Sequence, residues 1–393
     1  MKNLRDLKDL KNKKVLLRLD LNVPLKDEII EDETRINKIL PVLKFLLKAN
    51  SKIIIVSHIG RPKGKINPKL SLKPICKNLE NKLNEKIKLI SDDLRQINEI
   101  DLFKNRSENI LVLENIRFYL EEERNDLEFS KNLASFADIY INDAFSCSHR
   151  KQASIHNITK FVKHSYAGPL LKKEIEAINQ VIQNKKKPVT CIIGGSKIST
   201  KINVITSLIK KIDNLIIVGA MANNFFVYQN FKVGKSLIEE NTKEIIKKIY
   251  DKADESNCKI LIPEDCMVGT SFKGNGENKD LSTIQDNEII LDIGSKTIKC
   301  INEKIDQSNT VLWNGPAGYF ENENFITGTM SIAETISKNT SQKSLISILG
   351  GGDTLAAVNK TKNKLSFTHL STAGGAFLEY LEGKDLPGLR VLK

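Results

Sequence analysis

Short runs of β-branched and apolar residues recur along the chain with amphipathic stretches between them, a pattern that predicts strands and helices alternating around parallel sheets. In the first half the predicted strands are Val15–Leu19, Ile53–Val56, Ile110–Leu113 and Ile139–Ile141, and apolar positions at helical spacing predict a helix from about Arg35 to Lys48. In the second half the strands are Val189–Ile193, Leu215–Val218, Ile260–Ile262, Val311–Trp313 and Leu345–Leu349. Ala167, Gly168 and Pro169 interrupt the alternation and a long charged helix follows from about Leu170 to Gln183, so a domain boundary is expected there. Lys273–Asp280, with two glycines and mixed charge, reads as an exposed loop. The fold class read from this pattern is α/β, with parallel sheets in two domains.

Ligands of open parallel sheets bind outside the carboxyl ends of the strands, so the residue types just past each predicted strand carry the functional signal. In the first half these are Asp20 and Asn22, then His58 and Arg61, then Arg117, then His149 and Arg150 a few residues past Asp143. In the second half they are Gly194, Gly195 and Lys197, then Gly219, then Asn314, Gly315 and Gly318, then Gly350 to Asp353. One crest is basic and the other glycine-rich.

Arginine presents a planar fork that pairs bidentately with carboxylate or phosphate, so Arg and His drawn from several strands describe a pocket for a small multi-anionic molecule. Asp20 and Asn22 either close a turn before Pro24 or hold a substrate hydroxyl. Glycines let backbone amides approach phosphate oxygens, and a helix starting just beyond adds the positive end of its dipole. Gly194-Gly195-Ser196-Lys197, Gly350-Gly351-Gly352-Asp353-Thr354 and Thr372-Ala373-Gly374-Gly375 are three such segments, which together point to a nucleotide. Asp353 is either a helix N-cap or a ligand to phosphate-bound magnesium. Lys197 and Lys201, four apart, would share a face if they lie on a helix. Gly234-Lys235-Ser236 ends like a P-loop, but Gln229 stands where its first glycine should be and no strand leads into it.

Composition narrows the partners. A chain of 393 residues, 40% hydrophobic, is long enough for two or three domains. No run has the roughly 18 to 20 apolar residues that span a bilayer, and the charged first residues lack a signal-peptide core, so a cytosolic protein without a membrane role is expected. Cys76, Cys147, Cys191, Cys258, Cys266 and Cys300 form no CxxC pair and read as reduced thiols. The net charge of +13 admits nucleic acid as a partner, but aromatics are only 6% and do not interleave with the lysine runs, which favours a solvated basic surface. From the residues alone the reading stops at an α/β phosphotransferase or nucleotide-dependent ligase with a separate anion-binding domain.

The segment Lys14-Val15-Leu16-Leu17-Arg18-Leu19-Asp20-Leu21-Asn22-Val23-Pro24 resembles the signature of the phosphoglycerate kinases. Ser57 to Pro62, Leu113 to Phe118, Trp313 to Pro316, Gly350 to Thr354 and Ser371 to Ala376 are similar to that family's motifs in order and spacing. The resemblance implies two doubly wound parallel-sheet (Rossmann-like) domains joined by a hinge: a 3-phosphoglycerate domain over 1–168, a nucleotide domain over 169–370, and a segment 371–393 returning to the first, with hinges at Ala167 to Leu171 and near Ser371. It implies that Asp20, Asn22, Arg35, His58, Arg61, Arg117 and Arg150 hold the acid, and that Lys201, Glu321, Gly350, Gly351, Gly352, Asp353 and Thr354 hold ATP or ADP with Mg2+. Arg35, Lys197, Lys201, Gly352 and Gly375 are the expected catalytic set, and a monomer the expected state. Val218 and Ala220 flank Gly219 where the family tends to glycine, and Ala373 departs likewise, so a side chain is expected near the nucleotide at each. Glu264 also departs, where an apolar residue is usual. The alternative reading is a catalytically impaired relative acting as a binding protein.

Overall fold

A computed structural model describes residues 4, 7, 9–104, 106–183, 185–361 and 363–393. The chain divides into two compact units, Met1–Ile175 with Asp385–Lys393, and Glu176–Lys384. The first division falls within the helix Pro169–Ile182. The second falls at 384, because the strand His369–Ser371 still pairs with Ile346–Gly350 and the helix Gly375–Leu381 still packs on the helix Ile202–Ile209.

In the first unit six parallel strands run in the order Ile87–Ile90, Ile110–Leu113, Lys52–Val56, Lys14–Arg18, Ile139–Asn142, His164–Ala167. The four inner strands are apolar and buried almost throughout, as expected of strands covered on both faces. Against them the helix Thr34–Lys48 presents Ile36, Ile39, Val42, Leu43 and Leu46, one stripe at helical spacing. In the second unit the order is Lys259–Leu261, Asn214–Ile217, Val189–Ile193, Thr310–Asn314, Ile346–Gly350, His369–Ser371, again all parallel. Its core gathers Ile192, Ile216, Trp313, Leu349 and the helix residues Ile332 and Ile336.

Both units are doubly wound, and every predicted strand is present within a residue or two of its expected bounds. A three-stranded antiparallel sheet, Glu277–Asp280, Asp265–Gly269 and Ile289–Ile293, was not anticipated. Part of the expected loop Lys273–Asp280 is one of its strands: Glu277–Asp280 reads as polar because it is an exposed edge pairing through its backbone with Asp265–Val268.

Candidate active site

The basic crest of the first unit is assembled from loops that leave four neighbouring strands. Asp20 and Asn22 follow Lys14–Arg18, His58 and Arg61 follow Lys52–Val56, Arg117 follows Ile110–Leu113, and Arg150 lies beyond Ile139–Asn142. Arg35, on the first turn of the helix Thr34–Lys48, bonds through Nη1 to Asp20 Oδ1 at 2.9 Å and to the Asn22 carbonyl at 2.9 Å. Asp20 Oδ1 also accepts the Asn22 amide at 3.1 Å, so the turn before Pro24 and the ion pair to Arg35 coexist. Asn22 Oδ1 accepts the Gly60 amide at 2.9 Å and ties the first two loops together.

Arg117 is 4% exposed. Its Nη1 donates to the Gly60 carbonyl at 2.8 Å, while its Nε has no hydrogen-bond partner among the described residues. A buried guanidinium N–H without an acceptor is costly, and an anionic ligand would satisfy it. Arg61 is exposed and Arg150 half-buried, with Arg150 Nε against His149 Nε2 at 3.1 Å.

Behind these residues stands Arg18, 0% exposed, at the end of the central strand. Its Nε donates to Ser154 Oγ at 3.0 Å, Nη1 to the Leu19 carbonyl, and Nη2 to His58 Nδ1 at 3.2 Å. Ser154 in turn donates from Oγ and from its amide to the buried Glu122 carboxylate, at 2.7 and 2.8 Å. Burial pushes the Glu122 carboxyl up and the Arg18 charge opposes that shift. His58 is 4% exposed, and burial, followed by the charges of Arg18, Arg117, Arg35 and Arg150, holds its imidazole well below the ordinary range. Arg18 and Glu122 were missed as site residues; the available signal was a lone arginine in the otherwise apolar run Val15–Leu19.

In the second unit the glycine crest is knitted by contacts that only glycine permits. A Cβ on Gly194 would lie 2.3 Å from the Pro316 carbonyl, and one on Gly315, whose φ is +105°, 2.3 Å from the Gly194 carbonyl. Lys201 Nζ donates to the Gly194 carbonyl at 2.5 Å and to Asn314 Oδ1 at 2.8 Å. Burial draws its pKa down to about 8, against the opposing pull of Cys191 and Asp353. Asn314 Nδ2 donates to the Gly350 carbonyl at 2.7 Å, and Thr354 Oγ1 accepts the Gly315 amide at 2.7 Å while donating to Gly350 O at 3.0 Å. Thr354 is thus a buried brace between two loops.

Three expectations are corrected here. The helix after the first glycine segment spans Ile202–Ile209, so Lys197 and Lys201 precede it and share no helical face: Lys197 is exposed and Lys201 turns inward. Asp353 does not cap a helix, because Gly351 holds the N-cap position of Gly352–Val358 and Asp353 lies exposed in its first turn. Val218 is wholly buried in the core, because it continues the apolar strand Asn214–Ile217.

Beside this crest opens a cavity of about 450 Å³. Phe226, Leu237, Ile290 and Tyr319 supply apolar wall, Gly195, Gly219 and Ala220 a backbone wall, and Asp292, Glu321 and Asp353 the carboxylates. Ala220 therefore does place a methyl at the cavity, whereas Ala373 is buried. Around Gly352 and Gly374 a Cβ would meet nothing within 4 Å, so these amides border open space, as does the exposed Gly375 at the start of Gly375–Leu381.

A basic crest suited to a polyanion on one doubly wound unit, and on the other a glycine crest beside an apolar cavity, define an α/β phosphotransferase. The family model described as phosphoglycerate kinase matches residues 4–384, and the chain belongs to that family. It is 44% identical over 387 residues to the phosphoglycerate kinase of Wolbachia sp. subsp. Drosophila simulans (strain wRi), covering 98% of this chain and 97% of that one. It is likewise 44% identical to the cytosolic phosphoglycerate kinase of Triticum aestivum, over 98% and 96% of the two chains. The solved phosphoglycerate kinase of Coxiella burnetii superimposes with a TM-score of 0.89 at 37% identity, over 100% and 98% of the two chains. The reaction class is phosphoryl transfer with a carboxyl group as acceptor. Nothing in these likenesses supports the impaired binding-protein alternative.

Proposed function

We propose that the two crests divide the phosphoglycerate kinase reaction between them: 3-phosphoglycerate, or its acyl phosphate, on the basic crest, and ADP or ATP with Mg2+ on the glycine crest. The observation that carries this reading is the buried, incompletely paired Arg117 beside His58, Arg35 and Asp20, a constellation suited to a small acid bearing both phosphate and carboxylate. Arg61 and Arg150 supply further guanidinium groups at its rim, and Asp20 and Asn22 receive the hydroxyl. The cavity walled by Phe226, Leu237 and Tyr319 suits an apolar base face, and Glu321 a ribose hydroxyl.

In the direction of ATP synthesis the bond between the acyl oxygen and phosphorus breaks as a β-phosphate oxygen of ADP bonds to that phosphorus, and the acid leaves as carboxylate. Both the entering and the leaving oxygen are ionised near neutral pH, so no general base is required. Catalysis then rests on alignment and on countering charge on the phosphoryl group in flight. Arg35 and Lys197 take that group's oxygens, Lys201 follows it between donor and acceptor, and the Gly352 and Gly375 amides donate to it. Gly350, Gly351 and Gly352 give the nucleotide phosphates close backbone approach, and Thr354 holds that loop in shape. Magnesium, when bound, spreads the nucleotide's negative charge. Asp353, an exposed single carboxylate at the cavity, fits an ion carried in on phosphate oxygens, since Mg2+ is commonly held by one or two carboxylates with substrate phosphates and water.

Transfer needs the acid and the nucleotide to meet with water kept out, and we assign the bending this requires to Ala167–Leu171 and the stretch after Ser371. The domains 1–168, 169–370 and 371–393 remain the functional divisions of this reading. We also propose a cytoplasmic monomer: one relative is named as cytosolic, and no helix among the described residues is long and apolar enough to cross a membrane. The test is a coupled assay with 3-phosphoglycerate and Mg-ATP, run on the wild type beside Lys201→Ala and Arg35→Ala. Activity in the wild type and its loss in both variants is expected. Full activity in either variant would overturn the role given to that residue.

A further inference from the structure

We infer that Arg18 is a positioning residue that fixes His58 as a neutral imidazole with its proton on Nε2, so that His58 meets the acid as a hydrogen-bond donor and not as a cation. The inference rests on the reading of His58 as a ligand of the acid, and its physical basis is a matter of donors and acceptors. A guanidinium has only N–H donors, so the 3.2 Å contact from Arg18 Nη2 obliges His58 Nδ1 to accept. With Nδ1 accepting, a neutral ring carries its proton on Nε2, and no hydrogen bond among the described residues engages that nitrogen.

Arg18 cannot turn away to accommodate a protonated Nδ1. Its Nε is bonded to Ser154 at 3.0 Å, its Nη1 to the Leu19 carbonyl, and Nη2 also lies 3.7 Å from Cys147 Sγ. Ser154 is itself held by both Glu122 oxygens, at 2.7 and 2.8 Å, and Glu122 is the buried counter-charge of Arg18. The guanidiniums that act on His58 all act in the same direction, while the carboxylates of this crest, Asp20 and Glu122, are paired to Arg35 and, through Ser154, to Arg18. Arg18 comes from the central strand, Arg35 from the helix Thr34–Lys48, Arg117 from the turn Ile116–Phe118 and Arg150 from the loop beyond Phe145–Cys147, and all disfavour a second proton. The Cys147 thiol, 4.0 Å from Nδ1, is a weak donor or acceptor and is itself pushed up by burial. Positive charge on the crest is thereby left to the arginines, which keep it at any physiological pH, and the strength of acid binding is decoupled from histidine titration.

The test reads the ring on the free, full-length protein, so its failure is separate from any failure to bind or turn over the acid. Two-bond 1H–15N correlation spectra, with His58 assigned by its disappearance in His58→Gln, should give the Nε2–H pattern unchanged from pH 8 to pH 5.5. An Nδ1–H or doubly protonated pattern at pH 7 would overturn the proposal. In the paired variant Arg18→Met with Glu122→Gln, which leaves neither buried charge without its partner, burial and the remaining guanidiniums keep His58 neutral but Arg18 no longer obliges Nδ1 to accept, so Nδ1–H and Nε2–H tautomers should appear together. A His58 that stays locked in the same form there would remove Arg18 as the cause. Should that variant not fold, the wild-type spectrum decides alone.

Discussion

Lys201 joins two demands that pull in opposite directions. Folding buries it among the carbonyl of Gly194 and the side chain of Asn314, and burial lowers its pKa to about 8, whereas a phosphate arriving beside it favours the charged form. The free protein has therefore lost about half of this proton near pH 8, and binding of ADP takes it up again. Calorimetric titration at pH 8.5 in buffers of different ionisation heat should detect proton uptake, and affinity should fall from pH 7 to pH 9. Lys201→Ala should abolish both the buffer dependence and most of the phosphoryl transfer. Arg117 gives the complementary prediction on the acid side. Losing a charge-assisted hydrogen-bond pair costs about 1.5–3 kcal/mol, so Arg117→Met should weaken 3-phosphoglycerate binding by roughly 10- to 100-fold while leaving ADP binding intact. Isothermal calorimetry with each ligand checks it. The positions of Arg117, His58 and Asp20 were legible in the sequence because a strand exit can be read from an apolar run and its first polar residues. Arg18 and Glu122 were not, since they come together through Ser154 across more than a hundred positions of sequence, a contact only the fold creates.

At the scale of the element, the glycines separate into two kinds that the sequence writes identically. Gly194 and Gly315 pack backbone on backbone, and neither carbonyl can retreat without moving a strand end. Gly352 borders open space. Gly194→Ala is accordingly expected to destabilise the chain by about 1–3 kcal/mol, the range for overpacking. Gly352→Ala should change stability by less than about 0.5 kcal/mol and yet weaken ADP binding, because the added methyl stands where a phosphate would approach its amide. Urea titration beside ADP binding distinguishes the two. Strands were legible where they are buried on both faces, as in Val189–Ile193 and Ile110–Leu113. The sheet-edge strands Ile87–Ile90, His164–Ala167 and His369–Ser371 escaped notice because short edge strands with polar residues carry little hydrophobic signal. The polar strand Glu277–Asp280 escaped for the same reason.

Across the whole molecule, each unit places one buried carboxyl under a helix that begins beside the site. In the first, Asp143 accepts the Leu171 amide at 2.9 Å under the helix Pro169–Ile182, with Gly168 pressed so close that a Cβ there would lie 2.3 Å from the carboxyl. In the second, Asp292 accepts the Gly328 amide at 2.8 Å under the helix Thr327–Gln342, with Gly318 against it. Burial raises both pKa values to about 7, although the amides favour ionisation. A carboxyl whose folded pKa lies above its unfolded value near 4 stabilises the fold fully below that lower value, and the contribution is lost as pH rises through the folded one. Thermal stability should therefore decline from pH 5 to pH 7.5 in the wild type. The pair Asp143→Asn with Asp292→Asn, neutral at every pH and able to accept the same amides, should flatten that slope, and each single change should remove part of it. A slope unaltered in the double variant would mean that both carboxylates are ionised and fully satisfied in the folded chain.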